Sequence, residues 1–73
     1  MSRLPVVSGD EFVRTVARIG FALDRMEGSH MILIGPTRRR LTVPRHGELG
    51  RGLLRALIRD AGLTREEFLE LVR

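Results

Sequence analysis

Proton chemistry near neutral pH falls to two side chains in this sequence. It has two histidines and no cysteine, and all thirteen of its cationic residues are arginine. Imidazole is the side chain whose unperturbed proton affinity lies in the physiological range, so His30 and His46 are the candidates for giving or taking a proton. His30 ends the stretch Gly28-Ser29-His30 and opens an apolar run, Met31-Ile32-Leu33-Ile34. That spacing makes it the first residue of a strand, held by a regular element, with two small residues ahead that leave room for a bulky substrate. A catalytic or ligand-reading histidine is mounted in this way. A half-buried polar residue without chemistry fits the same position, and residue type alone leaves both readings open.

The elements that would hold these residues follow from local signals. Ser8-Gly9-Asp10-Glu11 has the form of a capping box, so a helix is expected to start there. Phe12, Val13, Val16 and Ile19 recur at helical spacing, with Glu11, Arg14, Thr15 and Arg18 on the other side, and Gly20 is expected to end the helix. Phe21 to Met26 alternates as a half-buried strand, Glu27-Gly28 turns it, and Ser29 to Ile34 forms the second strand. Gly35-Pro36-Thr37 is a second turn, and Arg38 to Val43 a third strand that Pro44 ends. A second helix is expected from about Gly50 to Ala61, with Leu53, Leu54, Leu57, Ile58 and Ala61 inward and Arg51, Arg55 and Arg59 in one outward stripe. Gly62 caps it, and Thr64-Arg65-Glu66-Glu67 is another capping box that opens a short last helix carrying Phe68, Leu69 and Val72.

The second strand is apolar on both parities except at His30. An exposed aliphatic surface on the His30 face, covered by another chain, is therefore expected. No linker, repeat or low-complexity segment interrupts the pattern, so residues 1–73 read as one domain. The resulting fold class is α+β, in the order α-β-β-β-α plus a short C-terminal helix, with the helices on one face of a three-stranded antiparallel sheet. This is the layout of the double-stranded-RNA-binding domain (dsRBD).

Composition narrows the function classes. A chain of 73 residues buries only ~60% of its unfolded surface, which disfavours a deep enclosed site and suits an open surface for a polymer. Without cysteine there is neither a disulfide framework nor a thiolate zinc site. The segment Met1 to Val7 is too short and polar for a signal peptide, and no apolar run approaches the ~20 residues of a membrane span, so a cytoplasmic protein is expected. The formal charge of +4 and a pI near 11.5 are compatible with a nucleic-acid partner, since the guanidinium fork matches phosphate. An all-arginine surface also follows from genome composition or a hot habitat. Three phenylalanines, with no tyrosine or tryptophan, argue against a base-stacking platform.

Together these residues carry a more specific likeness. The chain resembles the HicA-type (YcfA-like) toxins, the small ribonuclease half of bacterial toxin-antitoxin pairs, over nearly its whole length. The resemblance rests on Ile19-Gly20-Phe21, Gly28-Ser29-His30, Thr42-Val43-Pro44 with His46, Glu48-Leu49, Gly52, Leu54, Ile58 and Ala61-Gly62-Leu63 in this order and spacing. It implies a dsRBD-like fold, translation-independent cleavage of single-stranded mRNA, and inhibition by a HicB-type antitoxin encoded beside it. It also implies that His30, matching the family's Gly-Ser-His histidine, is the catalytic residue. The chain departs from the family at Gly50, where proline is frequent, and at Leu53, where threonine or serine is frequent. If that hydroxyl contacts RNA or antitoxin in relatives, the contact is lost here. Leu33 stands where an aromatic is common.

RNA cleavage requires the 2′-hydroxyl to lose a proton as it attacks the adjacent phosphate and the leaving 5′-oxygen to gain one. A positioned imidazole supplies a ~10²–10⁴-fold acceleration to such a step. His30 is the expected general base or acid. Arginines near the phosphorane would stabilise its charge, so neither metal nor cofactor is expected. His46 is the second candidate, as donor to the leaving group or as a merely solvated loop residue. Gly28, Ser29, Arg38, Arg40, Arg51 and Arg55 are the expected RNA contacts. The cluster Arg38-Arg39-Arg40 would grip RNA, pair with an acidic antitoxin, or keep an edge strand soluble. A non-catalytic RNA-binding module and a protein-interaction domain on the same fold are the alternatives, and neither needs an imidazole at position 30.

Overall fold

The computed structural model describes residues 3–73. Helix α1 (Gly9–Ala17) leads into strands β1 (Ala22–Glu27), β2 (His30–Ile34) and β3 (Arg40–Pro44), followed by helices α2 (Arg51–Asp60) and α3 (Arg65–Val72). The strands form one antiparallel sheet in the order β1-β2-β3. This is the expected α+β class and element order.

Both predicted capping boxes close. In α1 the Ser8 hydroxyl accepts from the Glu11 amide at 3.0 Å, and the Glu11 carboxylate accepts from the Ser8 amide at 2.8 Å. In α3 Thr64 and Glu67 make the same pair of bonds, at 3.1 and 2.8 Å. The Ser8 backbone and side-chain hydrogen bonds hold the Glu11 carboxyl below its ordinary range. Gly20 and Gly62 follow α1 and α2 with positive φ, as expected of helix-ending glycines.

The core lies between the helices and one face of the sheet. Phe12 and Val16 of α1, Leu54, Leu57 and Ile58 of α2 and Phe68 of α3 pack with Met31, Leu33, Leu41 and Val43 of the sheet. The rings of Phe12 and Phe68 stack with centroids 5.7 Å apart, which ties the last helix to the first.

Several local expectations are corrected. Thr15, assigned to the polar side of α1, is 7% exposed, because its hydroxyl donates to the Glu11 carbonyl at 2.8 Å and enters the interior already satisfied. Leu53, assigned inward, is 39% exposed, because the sheet lies under the Leu54-Leu57-Ile58 side of α2. The third strand starts at Arg40 rather than Arg38, since Pro36–Arg38 forms a 3₁₀ turn with positive φ at Thr37 and Arg38. Pro44 is still paired, opposite His30, as the last residue of β3.

Strand β1 is not half-buried. All six of its residues are exposed, with Phe21 just before it inserted in the core. It is an edge strand that the helices do not cover, and its register is interrupted between Leu23 and Arg25. The expected exposed aliphatic surface on the His30 face is also absent. Ile32 is 4% exposed, flanked by its cross-strand partners Arg25 and Thr42, and Ile34 is only half-exposed. A narrow sheet buries its central strand from the sides, which a pattern of polar and apolar letters does not reveal.

Candidate functional site

His30 is exposed and begins β2, on the sheet face opposite the helices, because Met31 and Leu33 take the core face. The loop that delivers it is two residues long. Gly28 stands at φ 59° and Ser29 follows with ordinary φ, the pattern of a hairpin turn that takes glycine at its first central position. A side chain at Gly28 would meet nothing, so glycine is required by backbone conformation and not by space. The Ser29 carbonyl accepts from the Arg45 amide at 2.8 Å, which pins the turn to the segment after β3. His30 is therefore held between Glu27 of β1 and Pro44 of β3, with this bond next to it on the β3 side.

The same segment gathers the beginnings of two helices. The His46 carbonyl accepts from the Gly9 amide at 2.9 Å, and the Leu49 amide donates to the Val7 carbonyl at 2.8 Å. A β-carbon at Gly9 would collide with the Pro44 carbonyl oxygen, so glycine there lets α1 dock its first turn on the end of β3. Asp10 and Arg45 form a surface ion pair across this junction at 3.3 Å. His46 is exposed and lies two residues beyond the partner of His30, so both imidazoles belong to one end of the sheet.

Helix α2 starts at this end in a way that sets it apart. Its N-cap is Gly50, which offers no side-chain bond to the free amides, and its first turn carries no acid and begins with Arg51. Helices α1 and α3 each have a capping box and two acids in the first turn. The positive end of α2 is left with open donors and an added cation, a combination suited to an anion.

The expected RNA contacts divide by position. Gly28, Ser29 and Arg51 lie at the His30 end. Arg38 and Arg40 lie at the far end, beyond Ile34, which pairs with Arg40 and is separated from His30 by the length of β2, about 13 Å at ~3.3 Å per residue. Arg55 is exposed one turn along α2. Arg39, in the middle of the basic triplet, donates through Nη1 to the Asp60 carbonyl at 2.9 Å and closes the C-terminus of α2. Two residues at the His30 end were passed over in the sequence reading. Arg45 holds the turn through its backbone, which no side-chain pattern announces. Glu27, expected in the turn, is instead the last residue of β1 and pairs with His30, because the two turn residues are Gly28 and Ser29.

No helix among the described residues is long and apolar enough to cross a membrane. No curated protein matches the chain. A family model described as the HicA toxin of bacterial toxin-antitoxin systems matches residues 9–63, from the first residue of α1 through all three strands and α2, and so includes His30 and His46. The chain belongs to the HicA toxin family.

Proposed function

We propose that this protein is an endoribonuclease toxin that cleaves mRNA through His30 and is neutralised by a HicB-type protein antitoxin. The observation that carries the reading is the exposure of His30 on a pinned hairpin at the end of the sheet where α2 begins uncapped. An open site of this kind accepts a polymer. The small residues Gly28 and Ser29 leave the approach to the ring clear, while Arg51 and the free amides of α2 offer positive charge to a phosphate. The dsRBD-like order of elements supports the reading, since that fold uses the start of its second helix and a sheet loop to meet phosphates and 2′-hydroxyls.

In this mechanism a single imidazole takes the proton of the attacking 2′-hydroxyl or gives one to the departing 5′-oxygen. His46 supplies the complementary transfer if its ring turns toward the same phosphate. Arg51 and the α2 amides, on the helix side of the same end of the sheet, would hold a neighbouring phosphate of the backbone. The antitoxin would cover this end of the sheet, and an acidic surface on it would complement the arginines.

The test is cleavage of mRNA by the intact protein in EDTA, compared with His30→Ala. Exposed His30 contributes little to the core, so the variant is expected to unfold at the wild-type temperature and to lose activity by ~10²-fold or more. Cleavage that survives in His30→Ala, or that needs an added metal, overturns the mechanism. RNA binding without product ends would favour a non-catalytic module.

A further inference from the structure

We infer that Glu27 is the positioning residue of His30: its carboxylate accepts a hydrogen bond from one ring N–H and thereby holds the other ring nitrogen bare toward substrate in a single tautomer. The catalytic half of this inference rests on the ribonuclease reading above; the pairing itself does not.

Glu27 and His30 are directly opposite each other where the two-residue turn closes the β1-β2 hairpin. Side chains so placed share a face and have their β-carbons ~4.5–5.5 Å apart, within reach of a carboxylate and an imidazole. The two side chains are not hydrogen-bonded in this structure, and the proposed bond forms when the imidazole turns toward the carboxylate that Arg25 holds.

The register of β1 arranges the face on which they meet. Leu23 pairs with Leu33 and Met26 with Met31, both partners being core residues, while Arg25 pairs with Ile32 and Glu27 with His30. In an unbroken strand, residues 23 and 26 would lie on opposite faces. Pairing across the turn puts Glu27, and Arg25 two residues earlier, on the face of His30, and the extra residue, Asp24, then returns Leu23 to the helix side. Bulges re-aim side chains in this manner beside functional sites.

Arg25 then fixes the carboxylate. Its Nε and Nη2 reach the same Glu27 oxygen, Oε2, at 2.8 and 2.7 Å, and its Nη1 reaches Asp24 at 2.8 Å. Among the described residues no hydrogen bond or ion pair engages Oε1, which remains free to accept from the ring. The other charged groups near this face are engaged or remote. Asp24 is held by Arg25, the Arg45 guanidinium pairs with Asp10, and Arg40 is at the far end of β3. Glu27 is thus the carboxylate placed to orient this imidazole, in the role an acid plays behind a histidine in hydrolytic triads.

The test combines ring ¹⁵N spectra of neutral His30 with cleavage kinetics for the wild type, Glu27→Ala and Glu27→Gln. One tautomer is expected to dominate in the wild type and to lose its excess in Glu27→Ala. Glu27→Gln, whose amide oxygen still accepts, is expected to recover part of it. Glu27→Ala is expected to lower kcat about 10–100-fold with KM nearly unchanged, and Glu27→Gln to restore part of that loss. An unchanged tautomer ratio, or an unchanged kcat in Glu27→Ala, overturns the inference. A wild-type protein that cuts no RNA overturns the ribonuclease reading and the catalytic half with it, and the tautomer ratio then decides the pairing alone.

Discussion

The two ends of α2 are treated in opposite ways. At its C-terminus Arg39 reaches across from the β2-β3 turn to the Asp60 carbonyl, while the amides of Gly62 and Leu63 donate to the carbonyls of Arg59 and Ile58. The negative end of the helix is closed by a cation and by its own chain. At its N-terminus no side chain among the described residues accepts from the free amides, and Arg51 adds like charge. The chain is able to cap helices, since α1 and α3 do so with complete boxes. The contrast separates cations used inside the fold from donors left for something outside it, a distinction that a net charge of +4 conceals.

The largest effect expected from this contrast is on RNA binding. Arg51→Ala should weaken binding and reduce the slope of log affinity against log salt by about one, because a phosphate contact is lost. Arg40→Ala, at the other end of the sheet, should leave the slope nearly unchanged. Equal changes in the two slopes would mean that both ends hold the backbone and would break the comparison.

At the closed end, Arg39→Ala should cost about 0.3–1 kcal/mol of stability in urea unfolding, with RNA affinity retained. Loss of affinity without loss of stability would move Arg39 to the binding surface. Gly50→Asp sharpens the comparison in the reverse direction. A carboxylate at the N-cap should raise stability by a few tenths of a kcal/mol, since glycine is only slightly poorer there, and should weaken RNA binding by occupying the amides. A variant that is more stable and binds RNA as tightly would show that those amides are not used.

The smallest effect concerns the capped helix α1. The Glu11 carboxyl is held below its ordinary range by the Ser8 hydrogen bonds, so it binds a proton less readily folded than unfolded. The resulting stability is fully present above the unfolded value, near 4.5, and is lost as pH falls through the lowered folded one. The melting-temperature difference between wild type and Glu11→Gln should therefore shrink from about pH 6 to about pH 3. A difference that is constant over this range would mean that charge at Glu11 adds nothing to the cap.

Much of the fold was legible because its signals are local. The capping boxes at Ser8 and Thr64 and the helical spacing of Phe12, Val16, Leu54 and Ile58 each depend on residues within a few positions of one another and are present as read. The turn expected at Glu27-Gly28 lies one residue later, at Gly28-Ser29, because Glu27 stays in β1 and pairs with His30, the first residue of β2. Misplaced residues were those whose surroundings come from elsewhere. Leu53 has an apolar side chain but points away from the sheet, and β1 alternates in letters without anything above it to be buried by. Ile32, expected to wait for a partner, is shielded by its own neighbours.

For the candidate site the division is similar. The identity of His30 as the exposed imidazole after a tight turn was available from Gly28-Ser29-His30. Its surroundings were not. The triplet Arg38-Arg39-Arg40 looks uniform as a string, yet Arg39 faces the end of α2 while its neighbours remain in solvent.

The amino-acid order alone determined where the chain turns, where each helix begins and which two imidazoles are present, since these depend on backbone preference and on hydrogen bonds spanning three or four residues. The tertiary structure decided which charges are free, which helix start is open and which apolar side chains are covered. Those outcomes depend on strand register, a bulge and the docking of α1 on β3, and they exist only once segments distant in sequence are packed together.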